Sequence, residues 1–519
     1  MVPLAVLAAV LLSLPTVPTG FYLDDLVHRA HFLEVGPMTD SSNMTHRMYD
    51  FLSGDPKDIL AYKDIGVLPW WADDELKIRF WRPLSSLTHV ADYELWPESS
   101  VLMHAQSVLW LAGLVAVTAL LYRRLIAAPM VAGLAALLYA LDDAHGMPVA
   151  FLANRNAILA AFFGVLSVWL HDRYRRDEWM PGFFLSPLAF LAALLSGESG
   201  VGIAPYLLGY ALFLERRSDL ARFASIAPHA AVGIAWLLFY HAGGYGTSGS
   251  AFYLDPVGQP VEWFRAFLVR APLLLLGQWF VPPSSFALAW TPAQTVGVAA
   301  FAVAFLAIVL RMLGPTLRSD ATARFFAFGM LLAVVPITAG FPHDRLLFFV
   351  GVGGMGLLAM LLVQLFDRSR TGWGGRVLGY ALVVVHFVLA PPLQVLMGTS
   401  VASQEPIYAG PPRSLPPDPK VEEQRLVVVN QPNAFYGQYA LVVRAFDGKP
   451  VPKSLLMLAP GTSLLVLNRP SENTLVIEAE DGWLGSPFDN VYRDPRRPFP
   501  PDYRVELSDV RIEVLQSAS

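Results

Sequence analysis

Asp24 and Asp25 are adjacent carboxylates in the string FYLDDLVH, directly after the first long apolar run of the chain. A carboxylate in a partly dry site holds its proton more tightly than in water, which suits it to general-base work near neutral pH. Such a base takes the proton of an acceptor hydroxyl as that oxygen attacks an electrophilic carbon, such as the anomeric carbon of a sugar. The spacing of LDDLVHRAHFL also predicts a short helix, and capping its first N–H groups accounts for one Asp equally well. Both residues stand as candidates for the base, Asp25 ahead of Asp24.

Further along, Arg82 in RFWRPLSSLTHVADYELW is of the type that holds a phosphate through two parallel N–H bonds as negative charge develops there. Beside tryptophan it serves equally as an interfacial anchor. Asp92 and His104 flank the start of a second apolar run, where they either face a cavity or mark the water boundary. LDDAHGMPVAFLANRNAIL brings Asp142, Asp143 and His145 together and places Arg155 inside an apolar span, where an arginine needs a partner or an anion. The D-D-x-H spacing offers oxygen and nitrogen ligands to a divalent metal, the one candidate cofactor. Only three ligands are visible, so no metal residues are assigned. Glu198 in SGESG either pairs with Arg155 or polarises an acceptor. FPHDR supplies His343, Asp344 and Arg345, the last a second candidate for a lipid phosphate. His241 and His386 are read as lone core histidines. There is no GxxxxGK[ST], HExxH or GxSxG, and GGYGTSG at 243–249 reads as a loop.

These residues must be held by membrane-spanning elements. The chain is 55% hydrophobic and 15% charged, with a mean hydropathy of +0.46, whereas soluble domains carry about 25% charged residues. A net charge of −5 argues against a nucleic-acid partner. Cysteine is absent, which removes disulfides, thiolate metal sites and cysteine nucleophiles. About eleven apolar runs between residues 2 and 397 approach the roughly 20 residues a spanning helix needs. Alternate short loops carry Arg123 and Arg124; Arg173, Arg175 and Arg176; Arg216, Arg217 and Arg222; Arg311, Arg318 and Arg324; and Arg368, Arg370 and Arg376. The positive-inside rule puts these in the cytoplasm, and the loop 20–100 and the carboxyl terminus outside. A crossing at 266–282 would invert that pattern, so this stretch is read as a re-entrant or interfacial helix. The first run lacks a basic n-region and a small-residue cleavage site, so it is read as a retained helix. Residues 400–422 read as a proline-rich linker. The β-branched runs RLVVVN, YALVVRAF, SLLVLNRP, TLVIEAE and YRVELSDVRIEVL predict a small antiparallel all-β domain over 423–519.

Four stretches in order resemble motifs of the GT-C membrane glycosyltransferases, a superfamily that includes protein O-mannosyltransferases and lipid A aminoarabinose transferases. They are RPLSSLTHVADYELW, VAFLANRNAILAAFFGVLSVWL, LLSGESGVGIAPYLLGYALF and FPHDRLLFFVGVGGMGLLAML, which with the acidic pair cover residues 20–365. The resemblance implies a GT-C-like bundle over 1–399, with 20–100 as its large first outer loop. It implies inverting transfer from a polyprenyl-phosphate-linked sugar to a protein, lipid or glycan acceptor outside a bacterial inner membrane. Asp24 or Asp25 would be the base, with Arg155, Glu198 and Arg345 near the donor phosphate. Gly197 stands where the family has Lys, and DDAHGMP where it has a simpler His-Pro. A non-catalytic GT-C scaffold and a flippase for lipid-linked saccharide are the competing readings.

Overall fold

The computed structural model describes residues 1–519 except 37–46, 216–220, 368, 370, 371, 432, 433, 462, 463, 481, 486, 487 and 517–519. Arg216, Arg217, Arg368 and Arg370 of the arginine loops therefore lie outside the described residues. The chain divides into two compact units. One is formed by Met1–Phe21, Trp81–Gly243 and Pro260–Ala402, the other by Tyr22–Phe80, Gly244–Gln259 and Ser403–Ser519.

The first unit is helical, and the chain is a polytopic α-helical membrane protein. Ser100–Leu125, Leu152–Arg176, Pro292–Ser319, Phe348–Phe366 and Trp373–Ser414 are long and apolar enough to cross a bilayer, and five shorter apolar helices accompany them among the described residues. The expected crossing near 224–241 forms the helix Ala227–Ala242, and the stretch read as re-entrant lies in Pro260–Trp279; neither is among those ten. Polar residues set the ends. Thr291 and Gln294 cap one another reciprocally before Pro292–Ser319 (2.8 and 3.3 Å), while Asp320 accepts from the Thr322 N–H at 2.7 Å to open Ala321–Ile337. Small residues allow the helices to approach closely, as expected where packing rather than water drives association. A Cβ on Gly353 would collide with the Phe326 carbonyl oxygen of the neighbouring helix. The Tyr206 hydroxyl then locks the same helix, donating to the Phe349 carbonyl at 2.6 Å and accepting the Gly353 N–H at 2.9 Å.

In the second unit, three segments distant in sequence share one core. Leu52, Ile59, Leu68, Trp70, Trp71 and Leu76 of the first loop pack with Met457, Tyr492, Tyr503 and Val505 of the carboxyl-terminal segment. Trp71 is fully buried, and losing such an indole costs about 3–5 kcal/mol. Hydrogen bonds cross the same seam. Trp70 Nε1 donates to the Leu458 carbonyl at 2.8 Å, and Arg493 Nε to the Trp71 carbonyl at 2.7 Å. Strands Asp50–Ser53, Lys77–Arg79 and Gly246–Ser248 form an antiparallel sheet in that order, with Leu52 opposite Ile78 and Ile78 opposite Thr247. The glycine-rich stretch read as a loop thus contributes a strand. Elsewhere strands pair in twos. Arg425–Gln431 and Ser454–Pro460 are parallel rather than antiparallel, because YALVVRAF, read as a strand, forms the helix Ala440–Phe446 between them. Its apolar run is buried from Ala440 to Val443, and burial rather than β-propensity decides its state. Within the linker range, Glu405–Ser414 is also helical.

Candidate active site

In the second unit, Asp24 and Asp25 occupy the first turn of the helix Asp24–Leu33. Acidic side chains there oppose the positive end of the helix dipole. The residue before them, Leu23, has φ 44° and ψ −109°, a left-handed conformation that a β-carbon disfavours. Backbone bonds hold it in place, from the Asp25 N–H to the Tyr22 carbonyl (2.9 Å) and from the Leu26 N–H to the Leu23 carbonyl (2.8 Å). The two carboxylates then differ. Asp25 is buried, and its Oδ2 accepts the Tyr22 backbone N–H at 3.0 Å. Asp24 is half-buried, and its Oδ1 accepts the Tyr439 hydroxyl at 2.7 Å. One carboxylate is engaged by the turn itself and the other by a side chain from the carboxyl-terminal segment.

In the helical unit, the predicted residues meet in pairs. Arg155 and Asp92, both fully buried, form an ion pair of 2.6 Å. All three guanidinium nitrogens of Arg155 are engaged: Nε donates to Ser107 Oγ (3.0 Å), Nη2 to the Met103 carbonyl (2.8 Å), and Nη1 reaches Thr88 Oγ1 (3.3 Å) as well as Asp92. Glu198 pairs with Arg82 at 2.7 Å rather than with Arg155, and it also accepts the Trp81 N–H at 3.2 Å. His104 sits between carbonyls, Nε2 at 2.7 Å from Gly20 O and Nδ1 at 3.3 Å from Val149 O.

Two motifs far apart in sequence also come together in this unit. Asp142 Oδ2 accepts from Gln278 Nε2 (2.8 Å), and its Oδ1 accepts the Ala144 N–H (3.1 Å). Asp344 accepts from the Ser284 N–H and hydroxyl (2.8 and 2.9 Å) and from the Ser285 N–H (3.1 Å). Burial, with the charge of Asp344 added, pushes the Asp142 carboxyl up to about 7. Burial and the charges of Asp142 and Asp344 raise Asp143 well above the carboxylate range. His145 is fully buried, stacked on Phe348 with ring centroids 5.0 Å apart. Burial lowers its pKa to about 3, and neither ring nitrogen has a partner among the described residues. No group of three or more potential ligands is arranged to hold a metal ion among the described residues. His343 is held well below its usual pKa, by burial and then by Arg345; its Nδ1 accepts the Arg345 N–H at 3.2 Å. Arg345 lies 5.3 Å from the Phe341 ring centroid and has no carboxylate partner among the described residues. Arg345 lies in the short turn Asp344–Leu346, three residues before the helix Phe348–Phe366.

Of the lone histidines, His386 is buried and donates to the Trp279 carbonyl (3.1 Å), whereas His241 is exposed rather than a core residue. Sequence reasoning missed Tyr439, whose run reads as a strand, and Ser284. Gln278 carried a signal, being the one amide in LLLLGQWF.

No family model matches the chain, and no curated protein matches it. Among solved structures it is similar to ArnT from Cupriavidus metallidurans bound to undecaprenyl phosphate, at 12% identity over 90% of this chain and 93% of that one, with a TM-score of 0.40. Apo ArnT from the same organism gives 14% identity, 88% and 85% coverage and a TM-score of 0.34. The Archaeoglobus fulgidus oligosaccharyltransferase tethered to an acceptor peptide gives 12% identity, 84% of this chain, 63% of that one and 0.37.

Proposed function

We propose that this chain is a membrane glycosyltransferase that moves a sugar from a polyprenyl-phosphate donor to an acceptor nucleophile, with inversion at the anomeric carbon. The observation that carries the reading is the division of labour within the acidic pair. Asp25 is engaged by the backbone of a strained turn, while Asp24, directly after Leu23, is oriented by a tyrosine hydroxyl. Strained, over-determined backbone at a carboxylate is a feature of sites where geometry matters more than local stability.

In the proposed step Asp24, and not Asp25, takes the proton of the acceptor as its oxygen or nitrogen attacks the anomeric carbon. The bond from that carbon to the phosphate oxygen breaks, and its electron pair leaves with the lipid phosphate. In the helical unit, taken by itself, Arg345 is the arginine suited to bind a lipid phosphate, since Arg82 and Arg155 already neutralise Glu198 and Asp92. Asp92, His104, Arg155 and the Asp142 cluster are assigned to holding the helices of the helical unit together. Membrane lipid surrounds the chain, and the acceptor belongs to the class of proteins, lipids or glycans presented outside the membrane. Mass-spectrometric comparison of surface glycans from cells with the wild-type gene, without it, and with Asp24→Asn tests this reading. The glycan made by wild type should be missing from the other two.

A further inference from the structure

Beyond the base itself, the contacts around it assign a task to the carboxyl-terminal segment. We infer that Tyr439 is a positioning residue: its hydroxyl fixes the orientation of the Asp24 carboxylate and stabilises its charged form. The segment that follows the last membrane helix is thereby a working part of the site. This inference rests on the proposed function and names one more residue for it.

The contact is short, 2.7 Å from the Tyr439 hydroxyl to Asp24 Oδ1, and Tyr439 is fully buried. A phenol in that position can only help a carboxylate if it keeps its proton. Burial first, and the neighbouring Asp24 charge second, hold its pKa well above the usual 10, so it stays a donor throughout the working range. Hydrogen bonds to an ionised acceptor are about twice as strong as neutral ones. The tyrosine is itself held. Tyr408, also buried, lies with its ring 6.4 Å from that of Tyr439 and 6.1 Å from that of Tyr22, at edge-on angles of 61° and 68°. The Tyr22 hydroxyl donates to Gln404 Oε1 at 2.7 Å, and the Tyr22 backbone N–H is the group that Asp25 accepts. Residues 404, 408 and 439 therefore grip the acidic turn from two sides, through Asp24 and through Tyr22.

A hydrogen bond to the charged form of an acid favours that form. Removing it makes the base harder to deprotonate, so fewer molecules carry an active carboxylate at low pH. The test uses membranes of a deletion strain carrying the full-length chain with its own lipid-linked sugars. Product formation is followed by mass spectrometry from pH 5 to 9. Tyr439→Phe should slow transfer roughly tenfold at neutral pH and move the acidic limb of the rate profile up by about one pH unit. Replacing Tyr439 by 3,5-difluorotyrosine keeps its shape and strengthens the donor, and should move that limb down. In an Asp24→Asn background, Tyr439→Phe should add no further loss, as expected for a residue that acts only through Asp24. If Asp24→Asn abolishes transfer while both Tyr439 replacements keep the wild-type profile, the positioning role is overturned and the proposed function stands. If Asp24→Asn transfers at the wild-type rate, the proposed function itself fails.

Discussion

Removing Asp92 should destabilise the helical unit far more than removing Asp92 and Arg155 together. Both side chains are fully buried, and they meet at 2.6 Å. In Asp92→Leu the guanidinium keeps Ser107 and the Met103 carbonyl but loses its counter-ion in a dry interior, a change that costs about 3–5 kcal/mol. In Asp92→Leu/Arg155→Met the charge is gone. Trp96 Nε1 loses its acceptor Asp92 Oδ1 (3.0 Å) in the single and double variants alike, and the hydroxyls left behind have other partners. Thr88 Oγ1 already donates to the Ser85 carbonyl at 2.8 Å, and Ser107 Oγ to the Met103 carbonyl at 3.5 Å. The double variant should therefore cost only about 1–2 kcal/mol, which leaves a coupling of at least about 1 kcal/mol before the cost of Arg155→Met alone is counted. A unit of roughly 330 residues unfolds with an entropy of about 0.7 kcal/mol/K, so the single variant should melt about 4–7 °C below wild type and the double about 1–3 °C below. Thermal unfolding in lipid nanodiscs, followed by tryptophan fluorescence, measures both. Because Arg155 is assigned to structure, the double variant should still bind undecaprenyl phosphate. Additive losses, or a double variant that melts normally but no longer binds that lipid, would refute the assignment.

Asp142 carries a pH dependence whose sign follows from its raised pKa. The folded chain holds that proton more tightly than the unfolded one, so the associated stability is full below about pH 4 and is lost as pH rises through about 7. Melting temperatures measured between pH 4 and 8 should fall for wild type and stay flatter for Asp142→Asn; parallel curves would contradict the cause given. Arg345→Gln should weaken binding of undecaprenyl phosphate by about 10- to 150-fold, the worth of a hydrogen bond to a charged group. Its melting temperature should not change, since no carboxylate among the described residues loses a partner. Unaltered lipid affinity would remove Arg345 as a phosphate-binding residue.

Local chemistry was legible in the chain, and long-range partnership was not. The helix over Asp24–Leu33 follows from its own periodicity, and the HDR loop from its place before an apolar run. Arg155 was recognisable as an arginine that must find a partner, but Asp92, 63 positions away, is marked by nothing in its own neighbourhood. Glu198 shows the same limit, because its partner Arg82 lies 116 positions earlier. YALVVRAF reads as a strand by composition, and only its buried surroundings make it a helix. The first outer loop and the carboxyl-terminal segment read as separate pieces, since each is rich in its own aromatic and β-branched residues. Their shared core around Trp70, Trp71, Tyr492 and Tyr503 exists only once the chain is folded.

The central claim is that Asp24 is the base while Asp25 serves the turn. Transfer rates of Asp24→Asn and Asp25→Asn, measured side by side at equal amounts of folded protein, test it most directly. Loss of a general base costs about 10²–10⁴-fold, so Asp24→Asn should fall by that factor. Asp25→Asn keeps an oxygen for the Tyr22 N–H and should stay within about tenfold of wild type. A wild-type rate for Asp24→Asn, or a greater loss in Asp25→Asn than in Asp24→Asn, would contradict the account.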